Sequence, residues 1–149
     1  MINQILGLAR PALLALDPER AHELTLRTLE NGIFSAAHDH DERLGVQAFG
    51  LSFPNPIGIA AGFDKDARVY DAVLAIGFGF AEIGTVTPLA QKGNPRPRVF
   101  RLIRDRAVIN RLGFNNQGHA HAHRLLSRRS PGGIVGVNIG ANKDAVDKT

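Results

Sequence analysis

Cysteine is absent from the 149-residue chain, so neither a disulfide nor thiolate chemistry is available to it. Long apolar runs are missing as well. The uninterrupted hydrophobic stretches fall far short of the roughly 20 residues that a membrane-crossing helix needs. The first residues do not combine a positive segment, a hydrophobic region and a small-residue cleavage site, so no secretory signal is read and the cytoplasm is the expected compartment. Acids are nearly missing from residues 92–129, where ten Lys or Arg (Lys92, Arg96, Arg98, Arg101, Arg104, Arg106, Arg111, Arg124, Arg128 and Arg129) face the single acid Asp105. A segment of that charge can hold nucleic acid, an anionic ligand or an anionic membrane surface, or it can be a solvated basic face. Aromatic residues that stack on bases are scarce there, with only Phe100 and Phe114, which weakens the nucleic-acid reading.

What is present fits one domain, with 44% hydrophobic residues to fill a core. Ile2, Ile5, Leu6, Ala9, Leu13 and Leu16 recur at near-helical spacing, and Pro11 divides or kinks that stretch. Asp17-Pro18-Glu19-Arg20 is a helix start, with a capping carboxylate, a proline suited to the first position and an acid in the first turn. The helix is expected to end near Asn31-Gly32 and to place Ala21, Leu24 and Thr28 on one face. Two short amphipathic helices of this kind either pack on their own domain or lie in a membrane interface. Residues 35–43 read as a polar linker. His38 and His40 within it lack a third fixed ligand for a metal.

The pivotal stretch is Gly58-Ile59-Ala60-Ala61-Gly62-Phe63-Asp64-Lys65-Asp66. An apolar strand over Pro56–Ala60 runs into a turn without bulk, then a charged cluster, then a helix expected over Ala67–Ile76. A flat or phosphorylated ligand can approach such a turn closely, and Lys65 carries a positive charge to its mouth. Spacing alone reads as a tight turn with a solvated Asp-Lys-Asp triplet, because it is not a phosphate-loop or dinucleotide fingerprint.

Leu44–Phe49 and Leu51–Phe53 form an expected hairpin about Gly50. A second strand follows at Phe80–Gly84, with Glu82 as a polar residue inside it. Val99–Ile103 and Ala107–Ile109 form another hairpin. The amide-rich run Asn110 to Gly118 offers donors and acceptors to a polar heterocycle, although Asn and Gly also mark ordinary turns. A helix over His119–Arg129 sets His119 and His123 one turn apart without a carboxylate to complete a zinc site, so a solvated face is expected. A third buried strand runs over Ile134–Ile139. Apolar strands alternating with helices, with ligand-like residues after the strands, indicate a parallel α/β fold. About three strand–helix units fit the length, whereas a closed (β/α)8 TIM barrel needs about 250 residues.

Five segments together resemble the class 2, quinone-dependent dihydroorotate dehydrogenases: Leu16–Glu23, Asn55–Asp66, Glu82–Pro88, Asn110–Asn116 and Asn138–Lys143. The resemblance covers nearly all of the chain in order. Phe63 stands where many members have Leu, and Leu112 where Met is common, both volume-tolerant apolar exchanges.

The resemblance implies a (β/α)8 barrel holding FMN at its carboxyl-end face, oxidation of dihydroorotate to orotate in pyrimidine synthesis, and transfer of the electrons to membrane ubiquinone. It implies a helical segment over residues 1–38 and the amino-terminal part of the barrel over residues 39–149. Ala61, Gly62, Phe63, Asp64, Lys65, Thr85 and Asn138 match its flavin contacts. Lys65, Asn110, Arg111, Leu112, Gly113 and Phe114 match its substrate contacts, with Asn110 as the amide reader of the orotate ring. His22 and Arg101 match positions near the quinone tunnel. The family's catalytic base is a serine on a loop beyond Thr149, so no catalytic base is expected among these residues, Ser127 and Ser130 are not candidates, and the chain is expected to be an incomplete enzyme. The first 32 residues are expected to dock peripherally on the cytoplasmic side of the cell membrane and to admit quinone. Their loss is expected to spare flavin reduction. A soluble class 1-type enzyme, which lacks the helical segment, fits the Asp17–Glu23 cluster less well. A small basic nucleic-acid-binding module would not need the loop residues at all.

Overall fold

Asp17 starts the first complete helix. Its Oδ1 accepts the backbone N–H groups of Glu19 at 3.1 Å and Arg20 at 3.0 Å, two donors that the helix itself leaves unpaired. The computed structural model describes residues 11–37, 41–129 and 132–146, so residues 1–10, His38, His40, Ser130 and the expected boundary at 38/39 lie outside the described residues. Residues 11–15, which include Pro11, are helical. Helix α1 spans Pro18–Glu30 and ends at Asn31.

The face that α1 buries is only in part the expected one. Leu24 is 46% exposed, while Ala21 and Leu26 are buried. Glu19, Glu23, Leu26 and Glu30 recur at helical spacing on one stripe, and its three carboxylates meet arginines of the body. Arg68 bonds Glu30 at 2.6 Å and Glu23 at 2.9 Å, and Arg98 bonds Glu19 at 2.8 Å. The roll of the helix is therefore set by ion pairs as much as by apolar residues. The hydroxyls of Thr25 and Thr28 donate to the carbonyls of Ala21 and Leu24 one turn back.

Asp41 caps a short 3-10 turn over Glu42–Leu44, which shortens the first hairpin strand at its start. Strands β1 (Val46–Ala48) and β2 (Leu51–Phe53) pair antiparallel about a two-residue turn, Phe49-Gly50, in which both residues have positive φ. Strand β3 is only Gly58–Ile59. Helix α2 spans Tyr70–Ile76 and begins three residues later than the pattern suggests. The buried carboxylate of Asp64 causes the delay: it accepts from Arg68 N at 2.8 Å and Val69 N at 2.7 Å, and Ala67 turns at φ 62°. Strand β4 runs over Phe80–Val86, β5 over Val99–Leu102, β6 over Ala107–Asn110 and β7 over Val135–Ile139. Helix α3 covers His119–Leu126.

Three parallel strands in the order β3-β4-β7 form the central sheet, with Ile59 opposite Ala81 and Ile83 opposite Val137. Ala81 and Ile83 face a core that includes Val69, Tyr70 and Val73 around α2, Ala122 of α3 and Leu26 of α1. Glu82 points to the other face, where its carboxylate accepts from Asn138 Nδ2 at 3.1 Å. The β5–β6 hairpin is a separate antiparallel ribbon. Strand–helix alternation about a parallel sheet is the arrangement of an incomplete (β/α)8 barrel. His119 and His123 are exposed, and among the described residues no group of three or more potential ligands is placed to hold a metal.

The Arg68 clamp has a readable acid limb. Hydrogen bonds from Arg68, and secondarily from Arg27, hold the Glu23 carboxyl at about 2 against an ordinary value of 4.5. A carboxyl depressed by folding stabilises the native state above its unfolded value and loses that contribution as pH falls. The window here is from about 4.5 down to about 2. With 41% of the Glu23 side chain exposed, solvent screening makes the contribution smaller than the shift alone implies. Carboxyl-carbon NMR titration of Arg68→Met is expected to return Glu23 toward its ordinary value, and the acid limb of the melting curve is expected to flatten.

Candidate functional site

Because β3, β4 and β7 run parallel, their carboxyl ends open on the same side, and the loops that follow them meet there. The β3 loop is tied to the end of β4 by two backbone bonds, Gly62 N to Gly84 O at 2.7 Å and Gly84 N to Asp64 O at 2.9 Å. Gly84 has φ 112°, and a Cβ on it would lie 2.4 Å from the Asn138 carbonyl of β7, so only glycine fits this joint. Gly62 has φ 106° and faces open space. Together with Ala60 and Ala61 it leaves a floor with no bulk.

The residues expected to contact a flavin gather about this joint. Thr85 Oγ1 donates to Asn138 Oδ1 at 2.6 Å. That bond, with the Glu82 bond to Asn138 Nδ2, fixes the orientation of the amide. Phe63 gives its carbonyl to His22 Nε2 at 2.8 Å and tilts its ring against the imidazole at 5.4 Å. Asp64 uses its carboxylate on the α2 turn, so the part it presents to the loop is backbone. A flat ring system fits a floor of this kind, where backbone and small residues permit close approach.

The second group lies on the loop after β6. Asn110 pairs with Val99 across the hairpin. Arg111 N donates to Arg98 O at 2.8 Å, and Asn94 holds Arg111 and Leu112 by their carbonyls at 2.8 and 3.0 Å. Gln91 Nε2 donates to the carbonyls of Gly113 and Phe114 at 3.2 and 3.1 Å. Beneath this loop the buried Asn116 side chain makes four bonds. It accepts from Thr87 N and Gly118 N and donates to Thr87 Oγ1 and the Phe114 carbonyl. Asn142, after β7, reaches the same Thr87 hydroxyl at 3.1 Å. The amide network thus ties the exits of β4 and β7 to the loop that carries Asn110–Phe114. Sequence reasoning does not single out Thr87, Gln91, Asn116 or Asn142. The density of amides was visible, but partners up to 55 residues apart were not.

Lys65, Asn110, Leu112, Phe63 and His22 line one cleft of about 440 Å3, closed on its far side by Pro18, Glu19 and Leu26 of α1. Burial is the main cause that lowers the pKa of Lys65, with Asp66 and Glu19 opposing it. Burial also lowers His22, and the charge of Lys65 adds to that. The acceptor at Asn115 Oδ1 is buried without a partner, and Asn115 lines the same cleft. Arg101 lies elsewhere: its guanidinium donates to the carbonyls of Leu14 and Leu16 at 2.8 and 2.7 Å, at the end of the 11–15 helical stretch. Arg111 stacks on Phe100 with its guanidinium carbon 5.6 Å from the ring centre, and Phe114 is exposed.

The basic segment does not form one solvated face. Arg98 is buried against Glu19, Arg101 and Arg129 donate to backbone carbonyls, and Arg124 donates to His121 Nδ1.

Residues 43–149 match the family model of dihydroorotate dehydrogenase. The chain is 61% identical over 150 residues to a dihydroorotate dehydrogenase (quinone) of Chelativorans sp., covering 99% of this chain and 41% of that protein. It is 64% identical over 143 residues to one of Parvibaculum lavamentivorans, covering 95% and 41%. A crystal structure of DHODH in complex with ferulenol from Eimeria tenella superposes with a TM-score of 0.84 at 40% identity, over 94% of this chain and 41% of that one. The chain thus spans about two fifths of the length of the relatives it matches. On the family match and on this level of identity over nearly its whole length, the chain belongs to the dihydroorotate dehydrogenase family.

Proposed function

We propose that these residues form the flavin floor, part of the substrate grip and one wall of the acceptor channel of a quinone-dependent dihydroorotate dehydrogenase that oxidises dihydroorotate to orotate with FMN. The observation that carries this reading is the convergence of Lys65 and Asn110 on one cleft beside the floor of Ala61 and Gly62. That convergence occurs in a chain whose relatives bear that activity in their names.

Ala61, Gly62, Thr85 and Asn138 would hold FMN, which when bound supplies the two-electron redox chemistry that side chains cannot. Lys65 is half-buried, and a cation in such a site interacts more strongly than in water with an anionic ligand. It would fix the substrate carboxylate and favour negative charge as it develops. Asn110 offers both a donor and an acceptor to the polar edge of the pyrimidine ring. Phe63 and Leu112 supply apolar walls, and the excluded water makes each of these bonds count for more.

The quinone side of the cleft would be the α1 wall, where Pro18 and Leu26 face Phe63, Val99 and Val108. Leu14 and Leu16, exposed at 49% and 41%, would rest on the membrane surface beside it. No helix among the described residues is long and apolar enough to cross a membrane, so the contact proposed is peripheral. The alternative of a nucleic-acid-binding module is disfavoured by the internal use of Arg98, Arg101 and Arg129.

In a family-length protein carrying this sequence, purification is expected to yield bound FMN. Anaerobic dihydroorotate should bleach the flavin absorbance and ubiquinone should restore it. A colourless preparation that oxidises no dihydroorotate would remove the proposal. Lys65→Ala is expected to lower the rate of flavin reduction by about 10²-fold or more, the scale of losing one preorganised electrostatic donor. Near-normal reduction in stopped-flow would make Lys65 a solvated loop residue. Val108→Trp, which narrows the cleft from the hairpin side, should slow reoxidation by long-chain quinone while leaving reduction by dihydroorotate intact. Equal slowing of both half-reactions would place the acceptor channel elsewhere.

A further inference from the structure

Among the described residues Arg98 is a buried cation, and its contacts run in two directions. Towards α1, Nε donates to both carboxylate oxygens of Glu19 at 3.0 and 3.1 Å, and Nη2 donates to Oε1 at 2.8 Å. Towards the body, Nη1 donates to the carbonyls of Lys92 at 2.7 Å and Asn94 at 3.0 Å. Those two carbonyls belong to the segment that holds the substrate loop. Asn94 bonds the carbonyls of Arg111 and Leu112, and the Arg98 carbonyl itself accepts from Arg111 N. Glu19 is thus two steps from the backbone that aims Asn110 and Leu112, although 79 residues separate it from Arg98 in sequence.

We propose that Glu19 and Arg98 are a positioning pair for the substrate loop, so that α1 sets the geometry of substrate binding as well as walling the quinone side of the cleft. This rests on the functional reading above. The physical case is the planar fork of the guanidinium. With Nε and Nη2 committed to one carboxylate through three contacts and Nη1 bonded to two carbonyls, the plane of Arg98 cannot rotate without breaking bonds on both sides. Arg96 also reaches Glu19, at 3.1 Å, but it is 72% exposed and holds no part of the loop. Removing Glu19 leaves a buried charge without its partner, and the segment carrying Lys92 and Asn94 must then move or admit water. Loss of the first 32 residues should therefore weaken substrate binding along with quinone reduction, in contrast to the expectation that it spares the flavin half-reaction.

The test is orotate binding to the family-length, FMN-loaded protein, followed by the flavin absorbance change. Glu19→Gln keeps the shape and loses the charge. It is expected to raise the orotate Kd and the KM for dihydroorotate by roughly tenfold, the scale of a sub-ångström misplacement, with FMN content unchanged. Arg98→Lys, which keeps the charge and loses the fork, should raise them similarly, and the double variant should cost no more than either single one. Arg68→Met is the control. It cuts the other clamp on α1 at Glu23 and Glu30 without touching the segment over Lys92–Asn94, and it should leave the orotate Kd within about threefold of wild type. If Glu19→Gln fails to retain FMN, Glu19→Asp is read instead, and its Kd should rise in the same sense. An unchanged Kd in a folded, flavin-loaded Glu19 variant overturns the pair, as does an equal rise in Arg68→Met. Wild-type protein that binds no orotate removes the functional reading itself, and the pair's role with it.

Discussion

Everything at the carboxyl end of the sheet depends on a joint with no side chain. Gly84 exchanges backbone bonds with Gly62 and Asp64, and the space a Cβ would take is filled by the Asn138 carbonyl. The loop after β3, the end of β4 and strand β7 are thereby held at backbone separation, closer than any pair of side chains would allow. Asp64 extends the joint outward. Its backbone carbonyl accepts from Gly84 and its buried carboxylate accepts from Arg68 N and Val69 N, so one residue closes the loop after β3 and fixes the turn that precedes α2. A carboxylate this deep is tolerated because both oxygens receive backbone donors.

The second constraint is electrostatic and runs the other way, from the body to α1. The chain carries a formal charge of +4, and its basic stretch looks in linear form like a surface for an anionic partner. Folding turns much of that charge inward. Arg98 and Arg68 bind the carboxylates of α1, and Arg101 and Arg129 satisfy backbone carbonyls. Arginine suits these tasks because its fork bonds several acceptors at once, which lysine cannot do with fixed geometry. What remains at the cleft is selective. Of the cations that line it, Arg68 and Arg96 are paired with carboxylates of α1, whereas Lys65 carries none of these pairings.

The elements most legible in the sequence were those with local causes. The Asp17-Pro18 start of α1, the small-residue turn after β3 and the parallel strand order all follow from signals within a few residues of one another. Misplacements had distant causes. Helix α2 was expected from Ala67, but Asp64 holds the two following amides in a turn and delays it to Tyr70. The expected face of α1 is Ala21, Leu24 and Thr28, of which only Ala21 is buried, because a stripe of glutamates reads as solvent-facing until its arginine partners, up to 79 residues away, are known. The Thr87–Asn116–Asn142 network was hidden for the same reason. Amides mark turns and binding sites alike, and only tertiary structure shows that Asn116 bonds inward. The residues proposed for flavin and substrate are named by family resemblance more than by spacing.

The cleft also shows how two basic groups are kept from competing. His22 Nε2 contacts a carbonyl, which only accepts, so this nitrogen carries the proton of the neutral ring and Nδ1 is left with its lone pair. Burial lowers the His22 pKa and the neighbouring Lys65 charge lowers it further, both of which favour the uncharged ring. Burial lowers Lys65 too, but Asp66 and Glu19 oppose the loss of its proton. Glu19 serves this balance while its own carboxyl, held below the ordinary range chiefly by the Arg98 bond, stays anionic. Asp66 and Glu19 thus favour the charged form of Lys65, while Lys65 and Arg68 favour the neutral form of His22, in a cleft that Arg68 and Arg96 also line. In the function proposed above, an anionic pyrimidine beside Asn110 would meet the Lys65 charge with the less basic His22 imidazole behind it, on the side where an apolar electron acceptor would approach.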